Sequence, residues 1–392
     1  MTVDEEYRRD LGIVAGRIGD LDPPDLPERF ASRCGLGRDS FRTVEPSREG
    51  TIAAVDGSNA IVLDAGCLSV AVLRAAACGF SGGRQPDGGA TGRGPGATPR
   101  GRQSDGGATG RSAKDESPGR NRGGGATMVS PGATRKFRSV TPLRLATLGQ
   151  EARHGSFAGL YRECFGTDPE ATVSDDEPAR TAGILRDTLE YWVARKTAER
   201  LESGDLLVLD GALRVTHASH DRVMLDLIRT CAARRVHLCA VTKRSAVTWG
   251  GGLPLVPAAR SLAESCAIAP PWFLRIPEDC LDVAPYRQWR HGVSCVAALH
   301  PGSPLAFRIE VPPPTGDGEL GAVISRLAGW ADDGRVTGYP YPLFDAHRTA
   351  RIPADAVQQV KNDLLARMGD AGFDLRRFQE LFGDLHDEFA RY

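Results

Sequence analysis

The chain has 392 residues, 41% of them hydrophobic, and a formal net charge of −1 at pH 7. This length and apolar content predict one large α/β domain with appendages, or two smaller domains. The near-neutral charge excludes a global field that attracts a polyanion, so any nucleic-acid surface must be local. No apolar run reaches the roughly 18 residues of a membrane-spanning helix, which excludes that class.

The nine cysteines lack the spacing of a metal site or of a disulfide framework. They form no CxxC pair, and no His lies near them at zinc-ligand spacing. We therefore expect reduced cysteines in the core of a cytoplasmic protein. The acidic N-terminus, which has no apolar signal segment, favours the same location. Five of the cysteines lie in apolar runs, namely Cys67, Cys78, Cys231, Cys239 and Cys295.

Residues 1–50 are predicted to form a charged, helical lead-in. Two strands are predicted next, over residues 51–56 and 59–78, and the turn between them follows Asp56 directly. This arrangement places Asp56 at the tip of a hairpin. The apolar residues at helical spacing in the lead-in are Tyr7, Leu11, Val14 and Ile18.

Residues 81–135 differ abruptly from the rest of the chain. They consist mainly of Gly, Arg, Pro, Ser, Ala and Thr, and they contain an imperfect repeat that begins at Gly83 and again at Gly101. Such a segment buries too little apolar surface to offset its ordering entropy, so we predict a disordered insertion. Its excess of Arg suits non-specific contact with phosphates, and a surface expansion without a role explains it equally well.

The chain after the insertion alternates between strands and helices. A strand, a helix and a second strand in sequence imply parallel strands, so Asp210 and Lys243 are expected at the same carboxyl edge. The predicted elements up to that edge are a strand at 137–148, a helix at 179–203, a strand at 206–210, a helix at 219–234 and a strand at 236–241. Those beyond it are strands at 272–276, 293–299 and 305–311, and helices at 318–331, 353–370 and 374–390.

Two apolar runs each end on an Asp that Gly follows at once, at Asp56-Gly57 and at Asp210-Gly211. Each motif places a carboxylate where a buried strand is expected to end. Taken singly, such a motif is typical of an ordinary turn. Two of them side by side would suit Mg²⁺ or Mn²⁺, which prefer oxygen ligands and keep positions open for water and phosphate.

A hairpin, a long helix and a parallel β-α-β unit, in this order, resemble the RNase H-like nuclease architecture, a mixed α/β sheet flanked by helices. More closely, the chain resembles NurA-domain nucleases. The resemblance covers nearly the whole chain apart from the insertion. The segments that carry it are Val55-Asp56-Gly57-Ser58, Leu189-Glu190-Tyr191, Leu209-Asp210-Gly211-Ala212-Leu213, Val241-Thr242-Lys243, and Gly338-Tyr339-Pro340-Tyr341-Pro342-Leu343-Phe344-Asp345-Ala346-His347.

The resemblance implies roles for individual carboxylates. Asp56 and Asp210 match the metal-binding aspartates of the family. Glu190 matches its helical glutamate, and Glu199 is the alternative because the spacing from helix to strand is longer than expected. Three carboxylates would be enough to hold one or two cations.

The resemblance also implies roles near the C-terminus. Tyr339 and His347 match a tyrosine and a histidine of the family, and His347 is a candidate metal ligand or general acid or base. Tyr339 is a candidate catalytic residue, although the Tyr-Pro-Tyr-Pro run is also typical of a rigid extended turn. Lys243 is a candidate DNA phosphate contact, although a lysine at a strand end is commonly solvated.

What the family implies for function is a manganese-dependent deoxyribonuclease, with Mg²⁺ as an alternative cation. Its activities are 5′ to 3′ exonuclease and single-strand endonuclease on single- and double-stranded DNA. It forms homodimers and works beside a HerA-type hexameric translocase in DNA end resection. The implied nuclease domain spans residues 51–392, interrupted by the insertion and preceded by the lead-in.

Two other functions stay open on the sequence. An actin-like or sugar-kinase-type ATP-binding enzyme also uses Asp-Gly turns on an RNase H-like core, but it would show a duplicated fold with a second phosphate hairpin. A non-catalytic partner that grips DNA beside a translocase would have no need of Asp56, Asp210 and His347 together. DNA degradation, ATP turnover and DNA binding distinguish the three.

Overall fold

The protein is described from a computed structural model. The model describes residues 3–21, 23–65, 68–82, 132–149, 156–173, 177–250, 252–282, 289–374, 376 and 380. The helices in these ranges are α1 (Val3–Gly19), α2 (Leu26–Cys34), α3 (Ser156–Phe165), α4 (Pro178–Ala198), α5 (Ser219–Arg234), α6 (Leu255–Ser265), α7 (Asp317–Gly329), α8 (Tyr341–Ala350) and α9 (Ala354–Asp370). The strands are β1 (Phe41–Thr43), β2 (Thr51–Asp64), β3 (Ser69–Gly82), β4 (Ala133–Val140), β5 (Arg144–Leu148), β6 (Leu206–Asp210), β7 (His237–Thr242), β8 (Thr248–Trp249), β9 (Leu253–Pro254), β10 (Trp272–Arg275), β11 (Leu281–Asp282), β12 (Val293–Ala298) and β13 (Phe307–Val311).

Within the described residues, one 10-stranded mixed sheet organises the molecule. Its order is β1-β10-β12-β13-β7-β6-β2-β3-β4, and β5 also pairs with β3. Strand β6 is parallel to β2 and to β7, and the other neighbours are antiparallel. A hairpin of antiparallel strands therefore joins a parallel β-α-β unit, as the sequence predicts.

The hairpin of β2 and β3 is longer than predicted. Each strand has 14 residues, and the chain reverses only after Asp64, where the Ala65 N–H donates to the Leu68 carbonyl (2.9 Å). The predicted turn directly after Asp56 is wrong. Residues 57–64 continue the strand because their second half is rich in apolar side chains that suit a pleated, half-buried surface.

The connection after β3 also differs from the prediction. The first two and the last three residues of the predicted insertion 81–135 lie in β3 and β4. Residues 83–131 lie outside the described part of the chain, so their disorder stays a prediction. The predicted strand 137–148 is two strands, because Thr141 interrupts it: the Ala75 N–H donates to the Thr141 hydroxyl (3.0 Å) and the Thr141 N–H to the Ala75 carbonyl (2.9 Å).

Helices cover both faces of the sheet, and strand alternation decides which residues meet which helices. Ala53 and Val55 belong to the core beneath α3, α4 and α5. Ile52 and Ala54 belong to the core beneath α7 and α8. Asp56 continues the second series, so its side chain faces α8. A third core packs α2 and α6 against the far end of the sheet.

The N-terminal segment contains helices α1 and α2, as predicted, and it also adds β1 to the sheet beside β10. The division into residues 1–50 and 51–392 stays a prediction. No described helix is both long and apolar enough to cross a membrane. Four of the five singled-out cysteines are buried and free, and Cys67 lies outside the described residues; the four are Cys78, Cys231, Cys239 and Cys295.

Three helices near the site test the predicted boundaries. Helix α4 ends at Ala198 rather than at residue 203. The predicted elements do not include helix α8, because the prolines of the run at 339–342 are also typical of a rigid extended turn. Helix α9 agrees with the predicted 353–370, whereas the predicted helix 374–390 lies almost entirely outside the described residues.

Candidate metal centre

Asp56 lies within β2, and its side chain is buried. Its Oδ1 accepts the Gly57 N–H (2.8 Å), and its Oδ2 lies 2.7 Å from Nδ1 of His347. The parallel pairing with β6 ends at Val55. From Asp56 onward this edge of β2 is therefore open toward the end of β6, which gives other groups room to approach.

Gly57 permits a close approach instead of a turn. A Cβ at this position would lie 2.8 Å from Cγ of Arg186 and 3.0 Å from Oε2 of Glu190. Both residues belong to α4, on the sheet face opposite α8. The absence of a side chain at Gly57 thus lets α4 bring a carboxylate to the strand edge beside Asp56.

Asp210 and Lys243 meet at the carboxyl edge, as the parallel strand order predicts. Asp210 ends β6, and Lys243 directly follows β7. The Lys243 ammonium lies 2.5 Å from Oδ2 of Asp210 and 5.5 Å from the ring centre of Tyr339. The Asp210 side chain is largely buried and that of Lys243 is partly exposed, so the lysine lies on the solvent side of the pair.

His347 comes to this edge from α8. The helix begins after Pro340, and a second proline occupies its first turn, where no intrahelical N–H is required. The imidazole is about half exposed while the Asp56 carboxylate it contacts is buried. His347 is therefore held at one nitrogen and open to solvent elsewhere.

These three side chains form one cluster. One ligand atom each from Asp56, Asp210 and His347 can be chosen so that all three lie within 4.8 Å of one another. Two carboxylate oxygens and an imidazole nitrogen at such separations are a donor set that a single divalent cation can bind. The residues come from three distant stretches of sequence, so only the fold brings them together.

Glu190 lies beside this cluster but is not part of it. It is buried on α4, and its Oε2 approaches Gly57 from the opposite face of the sheet. The alternative, Glu199, caps the far end of α4 and pairs with Lys196 (3.0 Å) and Arg195 (3.5 Å). The two glutamates are nine positions apart, which corresponds to about 13 Å along a helix, so Glu190 is the one near the site.

Burial and mutual repulsion dominate the electrostatics. Burial, and then the charge of Asp56, raises the pKa of the Asp210 carboxyl, although Lys243 and His347 oppose the shift. Burial raises the pKa of Glu190 well above its usual range, and the nearby charges, first among them Asp187, raise it further. A cation that binds among these carboxylates would relieve both effects.

Tyr339 lies beside the cluster, close enough for the charges of Asp210 and Asp56 to act on its hydroxyl. Its hydroxyl is buried and has no hydrogen-bond partner among the residues that the structure describes. Burial, followed by the charges of Asp210 and Asp56, raises its pKa. The phenol therefore stays protonated and is available as a hydrogen-bond donor in a site that otherwise holds acceptors.

The sequence interpretation missed Arg186. Its guanidinium pairs with Asp187 (2.6 Å), and its side chain lies against Gly57. Although burial lowers its pKa, the charges of Asp187 and Glu190 raise it above the usual value. The spacing of four residues between Arg186 and Glu190 on one helix was the available signal.

Three solved structures are similar to this chain, and the first of them shares its fold. The NurA nuclease from Sulfolobus solfataricus is 11% identical with a TM-score of 0.50, and the match covers 95% of this chain and 98% of that one. A second NurA structure is 9% identical with a TM-score of 0.47, covering 93% and 98%. A structure of NurA bound to dAMP and manganese is 8% identical with a TM-score of 0.43, covering 90% and 94%. A comparison with curated proteins gave no match.

The mixed sheet, its flanking helices and the acidic cluster at its carboxyl edge define the RNase H-like nuclease fold class. The predicted fold class is thus confirmed. A family model of the NurA domain matches residues 50–248, which is half of the chain. The chain belongs to the NurA-domain family.

Proposed function

We propose that this protein is a divalent-metal-dependent DNA nuclease whose cation is held by Asp56, Asp210 and His347. The observation that carries the proposal is the convergence of these three side chains, with ligand atoms within 4.8 Å of one another. Family membership supports a nuclease, because solved NurA proteins of the same fold include one described as a nuclease.

The donor set favours Mn²⁺ over Mg²⁺. Both cations accept carboxylate oxygens, but imidazole suits the transition metals better than it suits Mg²⁺. Mn²⁺ is therefore the proposed cofactor and Mg²⁺ the alternative. Glu190 is proposed as a further acid of the site, and whether one or two ions bind depends on whether its carboxylate takes part.

Each residue has a proposed task in phosphodiester hydrolysis. A bound divalent cation lowers the pKa of a coordinated water and offsets phosphate charge. His347, half exposed and hydrogen-bonded to Asp56, has two alternative tasks. It is either the third ligand of the cation or, if it does not bind the cation, the general acid or base that transfers a proton as water adds to phosphorus and the bond to the departing oxygen breaks. Lys243, which pairs with Asp210 here, is placed to contact a phosphate oxygen. Tyr339 donates its hydroxyl hydrogen to an oxygen acceptor of the site.

The finer activity rests on the family alone. We propose 5′ to 3′ exonuclease and single-strand endonuclease activity on single- and double-stranded DNA. We also propose a homodimer that works in the cytoplasm with a HerA-type hexameric translocase during DNA end resection. Size measurement in solution and co-purification with such a translocase test these two associations.

One assay decides the central proposal. End-labelled single- and double-stranded DNA is incubated with the protein and Mn²⁺, beside the variants Asp56→Asn and Asp64→Asn. Asp64 is the matched control, because it lies on the same strand about 26 Å away at the usual rise per residue. We expect EDTA and Asp56→Asn to abolish degradation and Asp64→Asn to leave it unchanged.

The same samples test the alternatives. ATP hydrolysis with intact DNA would favour the kinase-like function over the nuclease. DNA binding without degradation or ATP turnover would favour a role as a DNA-gripping partner. Equal degradation by the wild type and Asp56→Asn would place the nuclease centre elsewhere in the chain.

A further inference from the structure

A buried ion network lies beyond the metal cluster, on the opposite face of the sheet. At its centre is Glu310, which is completely buried on β13. Its Oε1 accepts hydrogen bonds from Arg308 (2.8 Å) and from the Ser294 hydroxyl (3.2 Å), and the Arg290 guanidinium lies 3.8 Å away. These partners offset the cost of burying a carboxylate this deeply.

The network is hydrogen-bonded to the two segments at the carboxyl edge, the turn after β6 and the end of β7. The second oxygen of Glu310, Oε2, accepts the Leu213 N–H (2.7 Å). The second amino group of Arg308 donates to the Thr242 hydroxyl (3.2 Å), which in turn donates to the Gly211 carbonyl (2.5 Å). One Glu and one Arg thus bind the turn after β6 and the end of β7 together.

These contacts lie next to proposed functional residues. Gly211 immediately follows Asp210, and Thr242 immediately precedes Lys243. Gly211 has φ of +123°, a backbone conformation that favours glycine. Glycine has no side chain whose contacts could hold this conformation. Two hydrogen bonds from the end of β7 hold Gly211: its N–H donates to the Val241 carbonyl (3.0 Å), and its carbonyl accepts the Thr242 hydroxyl. The second of these bonds connects Arg308 and Glu310 to the residue that follows Asp210.

We propose that Arg308 and Glu310 are positioning residues for the metal centre, acting through Thr242 and the turn at 211–213. The inference rests on the proposed function. The planar guanidinium suits this task because it donates in two directions at once, to Glu310 and to Thr242, which a lysine ammonium does not reproduce in fixed geometry. Small displacements of a ligand in such a site have large effects on binding and turnover.

The principal test removes one hydroxyl. Thr242→Val keeps the shape and the ion pair of Arg308 with Glu310, but it breaks the link to Gly211. We expect Mn²⁺ affinity, measured by titration calorimetry, to fall about 10-fold, as for other residues that orient metal ligands. Turnover should fall with little change in KM. Thr242→Ser restores the hydroxyl and should restore both quantities.

A second pair of variants separates positioning from stability. Arg308→Lys is compared with Arg326→Lys, because Arg326 is also buried but bonds the opposite ends of β2 and β6, at the Thr51 and Gly204 carbonyls. Both substitutions should lower the unfolding temperature. Only Arg308→Lys should weaken Mn²⁺ binding, and Arg326→Lys should bind Mn²⁺ within twofold of the wild type.

The outcomes distinguish the two proposals. A wild-type protein that binds no Mn²⁺ and degrades no DNA overturns the proposed function, and this inference falls with it. A wild-type protein that binds Mn²⁺ while Thr242→Val binds it equally well overturns the inference alone. Equal loss of Mn²⁺ affinity in Arg308→Lys and Arg326→Lys would also reduce the network to a stabilising role.

Discussion

The two ends of the same pair of strands, β2 and β6, are built in opposite ways. At the amino end Asp205 accepts the N–H groups of Thr51 (2.8 Å) and Glu202 (2.8 Å). Arg326 donates to the Gly204 and Thr51 carbonyls, both at 2.6 Å. Asp205 and Arg326 are both buried, and each has partners of complementary charge or polarity, so this end stabilises the fold.

The carboxyl end gathers like charges instead. Asp56 and Asp210 converge with His347, Glu190 lies close behind them, and burial raises the pKa of both Asp210 and Glu190. Such an arrangement costs folding free energy in the absence of a cation. The contrast teaches that stabilising contacts and the candidate metal centre lie at opposite ends of two shared strands, so mutations can separate their effects.

The strongest test substitutes one aspartate at each end. Asp210→Asn should lower kcat/KM for DNA about 1,000-fold, since a lost metal ligand removes several kcal/mol of transition-state stabilisation. Asp205→Ala should lower the free energy of unfolding by about 3 kcal/mol, because two partly buried N–H groups lose their acceptor and the buried Arg326 guanidinium loses a nearby negative charge. Kinetics and urea unfolding of both variants check this, and a strongly destabilised Asp210→Asn would break the comparison.

The stability of the protein also depends on pH through His220, which lies at neither end of β2 and β6. Burial lowers the pKa of His220 to about 3 from the usual 6.5. As pH falls below 6.5, the unfolded chain takes up a proton that the folded chain refuses, so stability falls by about 2 kcal/mol at pH 5. His220→Gln keeps a donor for the Thr188 hydroxyl, which His220 contacts at 2.8 Å. Urea unfolding at pH 7 and 5 should show this loss only in the wild type.

The open edge beside Asp56 is tested by adding one methyl group. In Gly57→Ala the new Cβ meets Arg186 and Glu190, so we expect a loss of about 1.5 kcal/mol in stability from overpacking. Gly183→Ala is the matched control on α4, because nothing lies within 4 Å of its Cβ position. The free energy of unfolding of Gly183→Ala should be about 0.5–1 kcal/mol higher than that of the wild type, because alanine has the higher helix propensity. Equal effects of the two variants would contradict the close approach.

The smallest expected effect concerns the charge of Glu190. Its raised pKa means that the folded chain holds the proton more tightly, so stability falls as pH rises above the usual Glu value of 4.5. At pH 7, Glu190→Gln should therefore have a free energy of unfolding about 1 kcal/mol above that of the wild type. Below pH 4 the two proteins should be equally stable. Thermal and urea unfolding across pH check the sign. Mn²⁺ should reduce the gain if Glu190 takes part in binding it.

Much of the fold follows from local patterns, and the exceptions have physical causes. The apolar runs before Asp210 and Lys243 predicted parallel strands and a shared edge, and the structure confirms it. Asp56 was misplaced because Asp-Gly is a turn signal, and the packing of α4 across Gly57 is a non-local fact. Helix α8 was missed because prolines mark turns as well as first helical turns.

The residues of the candidate site could be predicted mainly from the resemblance to NurA-domain nucleases. Asp56, Asp210 and His347 were identified before the fold was known, and the structure brings them together. The roles of these residues, of Glu190, Tyr339 and Lys243 stay proposals. Arg308 and Glu310 were not found, because alternating charges in a strand normally indicate a solvated face, and the covering segments come from elsewhere in the chain.

Because side chains alternate along β2, added residues have very different consequences within β2 and between β3 and β4. Between β3 and β4 the chain accommodates residues 83–131, and the two strands still pair from Gly82 with Ala133 to Ala76 with Val140, with one register shift at Gly79. One extra residue between Thr51 and Asp56 would instead rotate the carboxylate to the opposite side of the sheet, away from His347. Dozens of residues thus fit between β3 and β4 without moving Asp56, whereas a single added residue in β2 before Asp56 would take the candidate metal centre apart.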